Sequence, residues 1–198
     1  MWNAEDNGYS GNTENSTEKE IKEELYALDF AVSKSVRYHS KRQRFFDILH
    51  NSSTIISAIS GSSAFVAVLS DNRDLALWVS LIVAISSALD SVFSFSKKSR
   101  VHNDLRRRFS DLLKEMILSE GDEQLRRRWQ AERLNIEADE PPSLTLLVDI
   151  CHNEEVIARG HEEKYLLEGI DRWHWWLSDI FSFDRYHQYL VDLRRAKL

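Results

Sequence analysis

A single cysteine, Cys151, sets the first limit on this 198-residue chain. It excludes an internal disulfide and suits a reducing, cytosolic position. Proline is almost as scarce: Pro141 and Pro142 stand side by side and nowhere else. Six scattered glycines offer no glycine-rich phosphate loop, and so little turn chemistry leaves long helices as the default. The opening MWNAEDNGYSGNTEN has no apolar signal core, so residues 1–16 are expected to be a disordered leader. A net charge of −6 argues against nucleic acid as a partner. No nucleophile stands beside a base and no cofactor motif is present, so neither catalysis nor a cofactor is expected.

The most informative absence is local. Charged residues make up 29% of the chain, and the mean hydropathy is −0.43. Yet residues 51–70 hold no Asp, Glu, Lys, Arg or His, and residues 75–96 hold only Asp90. A water-facing amphipathic helix needs a charged face, and neither run has one. A helix of about twenty residues rises ~30 Å, the hydrocarbon thickness of a bilayer. Two such helices around the polar DNRD, residues 71–74, form an antiparallel membrane hairpin. The competing reading is a hairpin buried in a soluble bundle, which the Ser-rich first run keeps open.

Charge outside the runs orients the hairpin. Lys34, Arg37, Lys41, Arg42 and Arg44 precede the first, and Lys97, Lys98, Arg100, Arg106, Arg107 and Arg108 follow the second. Basic residues collect on the cytoplasmic side, which places both termini there and the DNRD turn outside. Lipid headgroups account for these cations without another ligand. Trp78 and the Phe45–Phe46 pair fall where interfacial aromatic anchors belong. The fold class expected is therefore all-α: a multi-pass membrane protein, a two-span transmembrane helical hairpin with long cytosolic helical extensions and a C-terminal cytosolic helical bundle.

The extensions show helical periodicity. Thr17 and Glu20 form a T-x-x-E capping box that should start the first helix. Ile21, Leu25, Leu28, Val32 and Val36 then repeat at spacings of four and three. Val101, Leu105, Phe109, Leu112 and Met116 keep the same rhythm beyond the second span, which is expected to run on unbroken. Antiparallel spans would return the two stripes side by side. A shorter helix is expected over 122–137, then a stop at ADEPP from which Pro142 can begin the next helix. That helix would place Leu146, Ile150, Asn153 and Ile157 on one side. A last helical stretch is expected from about residue 162 to the end.

Within the spans, small residues form stripes. Ser53, Ser57, Gly61, Ala64 and Val68 share one side of the first, and Ser80, Ala84, Ser87, Ala88 and Ser91 mark the second. Such stripes allow close helix packing, or line a water path once several hairpins assemble; both imply a homo-oligomer. Asp90 is either a polar residue at the inner boundary, paired with a basic neighbour, or part of an acidic ring along a cation path.

Beyond the membrane, Cys151 and His152 make poor zinc spacing, being adjacent and lacking a second ligand pair. Glu137, Asp139, Glu140, Glu154 and Glu155 read as surface and helix-end charges rather than catalytic carboxylates. In RWHWWLSDIFSF, Trp173, Trp176, Leu177 and Ile180 share a face. That face either docks on the cytosolic helices or grips the inner leaflet.

Several segments together carry a family resemblance: YHSKRQRFF at 38–46, the small-residue hairpin, the basic exit, RRWQAERLNIEADEPP at 127–142, and CHNE at 151–154. The chain resembles the SLATT domains, two-transmembrane effector domains of bacteria, over roughly residues 20–160. Glu137, Asp139, Glu140, Pro141 and Pro142, with Cys151, His152, Asn153 and Glu154, are its most specific part. The resemblance implies residues 17–160 as the domain and a pore-forming effector in anti-phage and other conflict systems. It also implies activation by a nucleotide second messenger or a neighbouring sensor protein. Residues 161–198, aromatic-rich, lie outside the match. A non-conducting membrane scaffold that recruits a cytosolic partner is the alternative.

Overall fold

The computed structural model describes residues 10–60, 70, 73–119, 122–162, 165–167 and 169–197. These residues form seven helices and no strand: α1 Ser10–Ser60, α2 Arg73–Phe93, α3 Phe95–Leu118, α4 Glu123–Glu137, α5 Thr145–Ala158, α6 Arg172–Leu177 and α7 Asp184–Lys197. The chain divides into two compact units, residues 1–38 with 105–198 and residues 39–104.

α1 begins inside the stretch expected to be a leader, so the helix starts before the expected capping box and residue 17 lies within it. No proline interrupts residues 10–16, and a helix anchored downstream extends one residue at a time at little cost. In the first unit the two expected stripes meet. Leu28, Val32, Leu105, Phe109 and Leu112 are buried together with Trp129 and Ile136 of α4. Leu25, Val36 and Met116 pack at the margin, whereas Val101 is 39% exposed.

α4 matches expectation, with Asp122 as N-cap: its carboxylate accepts from the Leu125 N–H at 2.8 Å. α5 does not start at Pro142. It starts at Thr145, after an irregular connector, and other segments satisfy its first N–H groups. Leu144 N–H donates to Tyr38 Oη (3.0 Å), Thr145 N–H to Ser182 Oγ (3.2 Å), and Leu146 N–H to the Ser182 carbonyl (3.1 Å). α5 ends on Gly160 at φ +68°, with His161 N–H bonded to Val156 O and Gly160 N–H to Ile157 O. This left-handed turn stops the helix where a side chain would strain it.

The face α5 buries is broader than expected. Leu146, Leu147, Asp149, Ile150, Cys151, Glu155 and Val156 are inside, while Ile157 is 65% exposed. The single helix expected after 162 is two pieces, α6 and α7, separated by a turn at 178–180 with Ser178 buried and by Phe183 at φ +54°. Leu190 of α7 then packs on Leu146 and Ile150.

In the second unit, α2 stops at Ser94, which adopts φ +50°. Its carbonyl accepts from Lys97 and Lys98 N–H (2.9 and 3.1 Å), which starts α3 in a new direction. The second span is therefore broken where it was expected to be continuous. Among the described residues no single helix is long and apolar enough to cross a membrane; Leu77–Phe93 with Phe95–Leu118 pass only as a pair bent by 42°.

Candidate functional site

The second unit is organised around a polar seam between α1 and α2. Ser53, 7% exposed, donates its hydroxyl to the Ser86 carbonyl at 3.5 Å. Three residues earlier, His50 Nδ1 lies 3.5 Å from Asp90 Oδ2. His50 Nδ1 and Asp90 Oδ1 are buried and have no hydrogen-bond partner among the described residues. Outside the uncharged runs, the Ser99 hydroxyl donates to Asp47 at 2.5 Å.

The seam therefore falls on Val79, Val83, Ser86 and Asp90, a spacing of four, three and four. It does not follow the small residues expected on α2. Ser80, Ala84, Ser87, Ala88 and Ser91 are exposed, and so is Ser57 of α1. Gly61 and Ala64 lie outside the described residues. The contact brings the Ser53 hydroxyl to the Ser86 carbonyl and sets His50 against Asp90. Asp90 thus occurs in the paired arrangement, its neighbour being His50. The opposite sides carry Ile55, Ile59, Leu77, Trp78, Leu81, Ile82, Ile85 and Leu89, all at least 45% exposed.

The basic flanks separate into different roles. Arg44, Lys97 and Arg100 are exposed, and Lys41 is half-buried. Arg42 lies 4.6 Å from the centre of the Phe46 ring, and Lys98 lies 5.6 Å from it. Phe46 is buried, stacked against His102 and Phe95, rather than anchoring at a lipid interface. Arg37 belongs to the first unit, where its Nε donates to Glu155 at 2.5 Å.

Next to Phe46, His39 and His102 are buried with their Nδ1 atoms 3.0 Å apart. Burial, then the neighbouring His39 and Arg42, push the His102 imidazole down to about 3. A depressed histidine contributes stability that is full above its unfolded value near 6.5 and is lost as pH falls towards 3. The loss approaches ~1.4 kcal/mol per pH unit. Thermal melts at pH 7.5 and 5.0 should therefore show a drop that His102→Gln reduces. An identical drop in both proteins would remove His102 from the account.

The residues of the cytosolic motif do not converge. Glu137 accepts from Arg133 (2.7 Å) and Asp139 from Arg108 (2.6 Å), while Pro141 and Pro142 lie exposed in the connector. Cys151 is fully buried against Tyr38 and Leu147, whereas His152 packs on the Phe30 ring and reaches the Tyr165 carbonyl. Asn153 clamps Leu167, donating to its carbonyl (2.9 Å) and accepting from its N–H (2.7 Å). Glu154 lines a groove with Trp175 and Trp176. Among the described residues no group of three or more His, Cys, Asp or Glu is arranged to hold a metal ion.

No family model, curated protein or solved structure matches this chain.

Two arrangements bring together partners that the sequence reading did not name. Asp29, Arg37, Glu155 and Arg159 form a linked set of ion pairs in the first unit. The His50–Asp90 and Ser53–Ser86 pairs share a midpoint at about residue 70, as does His39–His102. An antiparallel hairpin pairs residues equidistant from its turn, so a search for polar pairs symmetrical about Ser70 would have found all three.

Proposed function

We propose that this chain is a pore-forming effector of a bacterial anti-phage or conflict system, depolarising the inner membrane when triggered. The observation that carries the reading is the outer side of α2. Leu77, Trp78, Leu81, Ile82, Ile85, Leu89 and Val92 are exposed along more than four turns, while Ser53 meets the Ser86 carbonyl and His50 faces Asp90 on the inside. An apolar surface of that length is what lipid, or further copies of the hairpin, would cover. The charge-free run 51–70 and the basic residues on both outer flanks support two spans with cytoplasmic termini. The exposed Ser57, Ser80, Ala84 and Ser87 are then free to face other hairpins in a homo-oligomer. The SLATT resemblance supplies the effector role and the second-messenger or sensor trigger.

A non-conducting membrane scaffold is the second reading, and one observation favours it. Ser53 and Asp90 turn into the hairpin's own seam, where they pack instead of lining a path.

A voltage-sensitive dye in bacteria expressing the chain separates the two. The pore reading expects depolarisation, abolished when Ser57, Ser80 and Ser87 are changed to Leu with membrane insertion intact. Asp90→Asn should reduce preference for cations over anions. An unchanged potential during triggered defence, with the protein in the membrane, would support the scaffold.

A further inference from the structure

One end of the hairpin seam is closed by a histidine and a carboxylate. His50 Nδ1 of α1 lies 3.5 Å from Asp90 Oδ2 of α2, and Nδ1 and Asp90 Oδ1 are both covered with no hydrogen-bond partner among the described residues. About one turn away, the Ser53 hydroxyl on the Ser86 carbonyl is the next polar contact of the seam. On the other side, the Asp90 carbonyl accepts from the Ser94 N–H at 2.8 Å, and Ser94 at φ +50° ends α2. The pair therefore sits beside the break at which the chain bends by 42°. A change in its attraction acts where the backbone already changes direction.

Among the described residues, neither His50 nor Asp90 makes another ion pair. On α1, Asp47 accepts from the Ser99 hydroxyl (2.5 Å) and from Gln43 (3.5 Å), and Arg44 is exposed. On α2, residues 75–96 hold no ionisable group besides Asp90. On α3, Lys97 and Arg100 are exposed, and Lys98 lies 5.4 Å from the centre of the Phe93 ring. Burial holds the His102 imidazole at about 3, so it stays neutral around neutral pH. Imidazole is the side chain whose charge ordinarily changes between pH 5 and 8. Protonated, His50 neutralises Asp90 across the seam. Once that proton returns to water, a carboxylate is left without a counter-ion among apolar residues, and water must enter to solvate it. Both side chains are partly exposed, 38% and 28%, so a proton reaches the ring without the helices parting. We infer that His50 and Asp90 form a proton-binding site that latches α1 to α2, closed while His50 is protonated and loosened beside Ser94 when it is not. The latch needs only the hairpin; that its loosening admits ions rests on the proposed pore.

The test places nitroxide labels on Ile55→Cys and Ile85→Cys, two exposed positions off the seam, in a full chain carrying Cys151→Ala. The chain is reconstituted into phospholipid vesicles with an excess of unlabelled chain, so that only distances within one hairpin are read by pulsed spin resonance. The expected result is a single short distance at pH 5.5 that lengthens and broadens at pH 8.5. His50→Gln and Asp90→Asn should each abolish this step. The double variant, which sets two neutral hydrogen-bonding groups against each other, should fold and show no step; helix content by circular dichroism controls for folding. One distance at both pH values in the unsubstituted seam overturns the inference. A step that survives in either single variant or in the double variant overturns it too. Ion leak is read on the same vesicles. A step without leak under triggering counts against the pore alone, and leak without a step counts against the latch alone.

Discussion

Phe109→Ala is expected to destabilise the first unit by about 3–5 kcal/mol, the cost of removing a large aromatic from a packed core. Phe109 is fully buried between Leu28 and Val32 of α1, Leu105 and Leu112 of its own helix, and Trp129 and Ile136 of α4. It stands where three helices meet, so no single helix can shift to fill the space. The surfaces around this cluster are charged. Lys22–Glu18, Arg126–Glu123 and Arg127–Glu123 are exposed ion pairs that water and salt screen, so they add little. Apolar contact must therefore supply most of the adhesion. For a chain of this size the change corresponds to a fall in melting temperature of roughly 6–20 °C. Near-ultraviolet circular dichroism would follow Trp129 in the same cluster. A shift of under 2 °C would mean that the helices close over the gap and that Phe109 is not the centre of this core.

That core was legible because it is periodic. Leu28 and Val32 on one stripe, and Leu105, Phe109 and Leu112 on the other, repeat at helical spacing and bury as expected. Where the pattern misled, a competing requirement had no periodic signature. Ser94 breaks α2 from α3 by adopting φ +50°, a conformation that glycine advertises and serine does not. The α1–α2 contact brings together the Ser53 hydroxyl, the Ser86 carbonyl, His50 and Asp90, a set that no periodic stripe marks. The tryptophans of α6 sit at helical spacing and were weighed as a docking face. The burial of Ser178 and Leu190 instead fixes the turn with its aromatic side outward. Hydrophobicity says that a side chain can be buried, not that a particular chain reversal will bury it.

Charges misled in the opposite sense. Read along one helix, Glu155 and Arg159 are an i, i+4 pair of the solvated kind. Their partners lie more than a hundred residues away on α1, and nothing in the local sequence marks them. Arg159 donates to Glu155 (2.6 Å), Asp29 (2.6 Å) and Ser33 Oγ (3.1 Å), and its guanidinium lies over the Tyr26 and Phe30 rings at 5.2 and 5.4 Å. The Glu155 side chain is only 6% exposed and is held by Arg37 as well. Burial raises its carboxyl, but the Arg37 and Arg159 bonds outweigh that and hold it below the usual carboxylate range.

Arg159→Leu should therefore cost about 3–5 kcal/mol, because it strips one cation from a buried carboxylate and leaves Asp29 without its partner in this set. Arg159→Lys should recover part of the loss, since an ammonium keeps the charge but cannot present the same fork to Glu155 and Asp29. Glu155→Leu combined with Arg159→Leu should be milder than the sum of the two single changes, because neither residue is then left buried with a missing partner. The coupling is read from denaturant midpoints of the single and double variants, and additive losses would show that the network does not act as a unit. Its pH dependence has a definite sign. A carboxyl depressed in the folded chain gives stability that is present above its unfolded value near 4.5 and is lost as pH falls below it. The Arg37 and Arg159 contribution should thus hold at neutral pH and fade under acid, at a lower pH than the His102 loss begins.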